Sequence, residues 1–177
     1  MNLVSTMCRP LNDLQHGHDG STRRIADGPS PQDIAIDVDV PDRRRALETG
    51  AALIGSANGL DPAPIFRALW RREQVGSTAL GHGVAIPHAR ISGIARPLML
   101  FMRSRLAMEF DAPDGRLVSN FLFIMVPADG DAEVHLQLLA SVAEMFSDRA
   151  FRARLGAAST SAEVATVFAQ WADQHQA

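Results

Sequence analysis

Lysine is absent from this chain of 177 residues, and all 17 of its basic residues are arginine. Mechanisms that need a lysine amine are thereby excluded, among them a Walker-type phosphate-binding lysine, the strand lysine of protein kinases and Schiff-base chemistry. Cysteine is almost missing too: Cys8 alone permits neither an intrachain disulfide nor a cysteine-rich zinc cage, which is consistent with a reducing cytoplasm. No apolar run approaches the roughly 18 residues of a spanning helix, and the N-terminus lacks the charged-then-apolar order of a signal peptide. The expectation is a cytoplasmic protein without membrane insertion. A net charge of −3 and a pI near 6.0 offer no basic field to hold nucleic-acid phosphates, so nucleic acid is not an expected partner.

What is present has the proportions of a globular domain, with 46% apolar and 21% charged residues. Residues 1–31 contain His16, Gly17, His18, Gly20, Gly28, Pro29 and Pro31 with little apolar period, and are expected to form a flexible arm ahead of a domain over 32–177. Alternation of Ile34, Ile36, Val38 and Val40 with polar or small neighbours predicts a half-buried strand. Helices are predicted from Asp42 to Asn58, closed by Gly59, and from Asp61 to just before Gly76. Strands at Leu98–Met102 and Val118–Val126 follow, then helices over Ala132–Phe146, Asp148–Leu155 and Ser161–Trp171. The run Phe121–Val126 is nearly continuous in apolar residues and predicts a strand covered on both faces. Together these elements predict an α/β fold of α+β type, a three-layer αβα sandwich around a mixed sheet.

The chemistry-bearing stretch runs from Gly76 to Arg90, GSTALGHGVAIPHAR. Its glycines, Gly81 and Gly83 among them, allow a tight turn whose amides converge on an anion, and Ser77 and Thr78 add hydroxyls. Pro87 is expected to end a short buried strand at Ile86 and to restrict the imidazole of His88 beyond it. A neutral imidazole has a lone pair able to attack phosphorus, and the charge of a phosphoryl group calls for waiting donors. Arg72 near a helix end and His135 in a first helical turn suit that need. His135 shares a stripe with Leu139, Val142 and Phe146, so it should face inward, and the helix N-terminus should keep it neutral until an anion arrives. Taken singly, each of these residues also has an ordinary structural use: a strand-end or helix-start histidine, a solvated arginine, turn hydroxyls.

The string GST-x-x-G-x-G-x-A-I-P-H resembles the active-site signature of the enzyme IIA components of the bacterial phosphotransferase system, in the branch that contains fructose/mannitol and nitrogen-regulatory members. Arg72-Glu73 corresponds to a family Arg-Glu pair, His135 to the family's second active-site histidine, and the resemblance spans about Ile34 to Trp171. His82 departs from it, since nitrogen-regulatory members more often carry Asn there. The resemblance implies a phosphotransferase component with a phosphohistidine intermediate at His88, a carrier more than a turnover enzyme, without a cofactor or metal. It implies a histidine-phosphocarrier protein of nitrogen type as donor, and sensor kinases or potassium-transport components as regulated targets. With the unpatterned residues at its start and almost nothing after its domain, the chain is expected to be a stand-alone nitrogen-regulatory member. Two alternatives stand beside it: a sugar-specific transport IIA with the same chemistry, and a metal hydrolase that gathers His82, His88 and His135 around zinc.

Overall fold

The computed structural model describes residues 28–175. A mixed sheet is built from β1 (Ile34–Val38), β2 (Ala79–Gly81), β3 (Val84–Ala85), β4 (His88–Ile91), β5 (Leu98–Met108) and β6 (Val118–Pro127). Strand order is β1-β5-β6-β3-β2, and β4 also pairs with β6. β1/β5 and both pairings of β3 and β4 with β6 are parallel, whereas β5/β6 and β2/β3 are antiparallel.

Among the described residues five α-helices cover the two faces: α1 (Arg43–Asn58), α2 (Pro62–Val75), α3 (Ala132–Ser147), α4 (Arg149–Ala157) and α5 (Ser161–His175). Asp42, Asp61, Asp131 and Asp148 each turn a carboxylate onto a first-turn N–H of the helix that follows, which fixes where α1, α2, α3 and α4 begin. On one face Leu47, Ile54, Ile65 and Leu69 pack on Phe121, Phe123 and Met125; on the other Phe146, Phe151, Leu155 and Phe168 pack on Phe101, Leu122 and Ile124. Alternate β6 residues thus serve two cores, which is why Phe121–Val126 carries apolar residues without alternation. This is the three-layer αβα sandwich expected. At Gly50 of α1 an added Cβ would come within 2.3 Å of the Phe123 ring, so α1 sits on the sheet at a distance only glycine permits.

Several boundaries differ from those read in the sequence. Pro29 and Ser30 are buried, and Ser30 and Asp33 close a capping box, so the last residues of the expected arm belong to the packed domain; residues 1–27 lie outside the described residues. β1 stops at Val38 after Asp37 takes a left-handed conformation (φ 57°), and β5 extends six residues past Met102. α5 continues to His175, four residues past Trp171.

The short strand ahead of Pro87 ends at Ala85, and a new strand begins at His88. Val84 pairs with Asn120 and His88 with Ile124, and both pairs are offset by 36 positions (120 − 84 = 124 − 88). β3 and β4 therefore continue one another along β6 in a single register, interrupted at Ile86-Pro87. Pro87 has no N–H to give, but its carbonyl accepts from Ile124 N–H at 3.0 Å, and Ile86 N–H donates to the Thr78 carbonyl at 2.9 Å. His88 opens a strand and is held by the central strand of the sheet.

Candidate functional site

The His88 ring is half-buried and held by both of its nitrogens. Nδ1 lies 2.8 Å from the Ile86 carbonyl and Nε2 lies 3.1 Å from Nε of Arg72. A carbonyl only accepts and a guanidinium only donates, so the proton sits on Nδ1 and the lone pair on Nε2. Burial is the main cause that holds the proton affinity of His88 below that of an ordinary imidazole; the Ile86 carbonyl opposes it, and Arg72 and His135 add to it. At neutral pH the ring is an uncharged base whose free lone pair is at Nε2.

Arg72 reaches that atom because of how α2 ends. Its NH1 donates to the Gly76 carbonyl at 2.8 Å, while the next residue, Glu73, points inward and is buried. The Glu73 carboxylate accepts from Thr78 N–H at 3.2 Å and from the Thr78 hydroxyl at 2.6 Å, with an Arg43 nitrogen 4.0 Å away. The last turn of α2 is thus tied to the strand that follows it, with Arg72 on the cleft side and Glu73 on the other.

His135 stands opposite, its ring centroid 5.7 Å from that of His88 at a tilt of 52°. The helix N-terminus suggested a neutral His135; the structure gives burial as the first cause of its lowered proton affinity and the charge of Arg90 as the second. Its Nδ1 is buried without a hydrogen-bond partner among the described residues. The two histidines line an open cleft of about 410 Å³ together with Arg71, Arg72 and Arg90. Among the described residues no carboxylate lines it, so three guanidiniums and two imidazoles make a site suited to an anion of more than one charge.

The structure brings Arg72, His88 and His135 together. The remaining sequence candidates are placed elsewhere. The Ser77 hydroxyl donates to the Phe110 carbonyl at 2.5 Å, and Thr78 spends its hydroxyl and N–H on Glu73. Gly81-His82-Gly83, expected to form a turn whose amides converge on an anion, is the β2–β3 turn, all three at positive φ, and within it the His82 N–H donates to Asp114 at 2.7 Å. Gly83 precedes His88 by five residues, or about 16 Å of extended chain. The one amide of this turn with a carboxylate partner among the described residues, that of His82, serves Asp114. Among the described residues no three His, Cys, Asp or Glu side chains converge as metal ligands, so His82 does not join His88 and His135 in the set that the zinc alternative requires.

Arg90 is the site residue that sequence reasoning missed. Once His88 is placed on a strand, the period of two puts residue 90 on the same face, and that was the available signal.

Fold and site together define an α/β domain with a neutral, lone-pair-bearing histidine in a cationic cleft. The chain belongs to the enzyme IIA family: residues 30–171 match the family described as phosphoenolpyruvate-dependent sugar phosphotransferase system, EIIA 2. Among curated relatives, the nitrogen regulatory protein of Pseudomonas aeruginosa is 37% identical over 126 residues, covering 70% of this chain and 81% of that protein. The nitrogen regulatory protein of Bradyrhizobium diazoefficiens is 30% identical over 145 residues, 82% of this chain and 94% of that one. The crystal structure of nitrogen regulatory protein IIA-Ntr from Neisseria meningitidis superposes with a TM-score of 0.75 at 35% identity, covering 81% of this chain and 98% of that one. IIA mannitol from Escherichia coli, 16% identical with a TM-score of 0.66, shares the fold.

Proposed function

We propose that this protein is a phosphoryl-carrier regulator of the phosphotransferase system, in which Nε2 of His88 takes a phosphoryl group from the histidine of a phosphocarrier protein of nitrogen type. The observation that carries the reading is the fixed tautomer: the Ile86 carbonyl holds the proton on Nδ1, and the nucleophilic lone pair is left at Nε2, beneath Arg72. In the transfer a bond forms between Nε2 and phosphorus as the donor's nitrogen–phosphorus bond breaks, and the donor imidazole recovers that electron pair. No proton need leave His88, whose Nδ1–H stays on Ile86. Arg72 Nε–H, which loses its acceptor when Nε2 is occupied, turns to a phosphoryl oxygen, and His135 donates from the opposite side; positioning and electrostatics of this kind carry most of phosphoryl-transfer catalysis.

Ser77 and Thr78 support the site by fixing the end of α2, and Gly81 and Gly83 by shaping the turn that delivers β3. The names of the relatives favour a regulatory destination, in which the phosphorylation state selects partners such as sensor kinases or potassium-transport components. No helix among the described residues is long and apolar enough to cross a membrane, in keeping with a cytoplasmic carrier. Incubation with phosphoenolpyruvate, enzyme I and the nitrogen-type carrier should add one acid-labile phosphoryl group to the wild type and none to His88→Ala. Efficient onward transfer to sugar-specific IIB proteins would move the reading to a transport component.

A further inference from the structure

Arg90 follows His88 by two residues on β4 and enters the same cleft. Its NH1 donates to the Gly130 carbonyl at 2.8 Å and lies 3.4 Å from that of Ala128. Those carbonyls belong to the turn between β6 and Asp131, the residue that caps α3, and His135 N–H bonds to the Asp131 carbonyl at 3.2 Å in the first turn. The same turn receives one backbone bond from the strand, Ala128 N–H to the Ile91 carbonyl at 2.9 Å. Arg90 adds a side-chain bond beside it, so the strand that carries His88 also grips the start of the helix that carries His135. Among the described residues Arg90 has no carboxylate partner, and its positive charge stays in the cleft.

We propose that Arg90 is a positioning residue of the phosphoryl site: by bridging β4 to the turn that launches α3 it holds His135 across from His88, and its guanidinium, with no carboxylate partner among the described residues, brings positive charge to that side of the cleft. The inference rests on the His88 reading above. The charged and titratable groups around His135 are His88 and Arg90 from β4, Arg71 and Arg72 from α2, and Asp131 and Glu133 at the start of its own helix. Of the arginines, Arg90 is the one whose charge lowers the proton affinity of His135, after burial. When the phosphoryl group binds, its negative charge offsets Arg90 and favours a charged His135, which strengthens the hydrogen bond to phosphate.

The test compares wild type, Arg90→Gln and Arg90→Lys by two measurements: the proton NMR titration of the His135 ring in the unphosphorylated protein, and the rate of His88 phosphorylation by the carrier. Arg90→Gln should raise the His135 midpoint and slow phosphorylation by about tenfold, the range of one charge-assisted hydrogen bond. Arg90→Lys, which keeps the charge, should leave the midpoint near wild type and recover part of the rate. Slower transfer with an unmoved His135 midpoint would overturn the proposal, since general loosening gives that result, and so would wild-type rates in Arg90→Gln. Should Arg90→Gln fail to fold, a His135 midpoint raised in Arg90→Lys as well would overturn it, and an unmoved midpoint with a partial rate would support it. If wild type takes no phosphoryl group, the His88 reading falls, while the titration decides the placement of Arg90 by itself.

Discussion

Thr78 gives both its N–H and its hydroxyl to the buried carboxylate of Glu73, at 3.2 and 2.6 Å, and through that pair the end of α2 is joined to the strand that leads to His88. Thr78→Val removes the hydroxyl and leaves the carboxylate short of a partner. It should lower stability by about 1.5–3 kcal/mol, the cost of a hydrogen bond to a charged group, measured by urea unfolding. Because Arg72 precedes Glu73, the same variant should also slow labelling of His88 even where it is fully folded.

Among the described residues Arg72 is the one side chain bonded to Nε2 of His88. Arg72→Ala should keep the fold and reduce the rate of His88 phosphorylation by about one to two decades, as expected for a lost charged donor in a transition state. Stopped-flow or rapid-quench transfer from labelled carrier measures it. Arg72→Lys should recover little, because a lysine lacks the guanidinium fork that spans Nε2 and the Gly76 carbonyl.

Both cleft histidines hold protons less readily folded than unfolded. The sign follows: the unfolded chain binds more protons below its own histidine pKa of about 6.5, so stability is complete above that value and falls as pH drops through it toward the lower folded values. Urea midpoints should therefore fall between pH 7.5 and 5.5 by more in wild type than in the His88→Ala, His135→Ala double variant. An equal fall in both would mean that the two rings titrate as free histidines.

Gly50→Ala places a methyl group inside the Phe123 ring's envelope. Overpacking of this kind costs about 1–3 kcal/mol, against which alanine returns about 1 kcal/mol of helix propensity. A net loss of stability by denaturant unfolding is expected, with phosphorylation of His88 retained in the folded fraction.

His82→Asn should change neither stability nor labelling appreciably. The ring is exposed, the backbone is left-handed, which Asn tolerates, and the bond to Asp114 is made by the main-chain N–H. Loss of labelling in that variant would show that the β2–β3 turn reaches the chemistry.

Much of the fold was legible because capping and periodicity are local. Asp42, Asp61, Asp131 and Asp148 mark helix starts in the sequence as plainly as in space, and the uninterrupted Phe121–Val126 announced a strand buried on both sides. His88 and His135 were legible from their strings. What the string concealed was long-range use of ordinary polar groups. Nothing near Gly81 or Ser77 says that Asp114 and the Phe110 carbonyl will take the donors that look ready for phosphate. Pro87 marked a strand end, and β3 does stop before it; the string did not show that β4 resumes beyond it in the same register on β6. Arg90 was passed over because its partners, the carbonyls near Gly130, lie 40 residues away.

The proposed chemistry rests on one atom, Nε2 of His88, and phosphorus NMR of the protein labelled by phosphoenolpyruvate, enzyme I and the nitrogen-type carrier, with nitrogen-labelled histidine, identifies the bonded ring atom. Nε2-phosphohistidine at position 88, with Nδ1 still protonated against the Ile86 carbonyl, is the expected result. A phosphoryl group on Nδ1 of His88, or on any other residue, would contradict it.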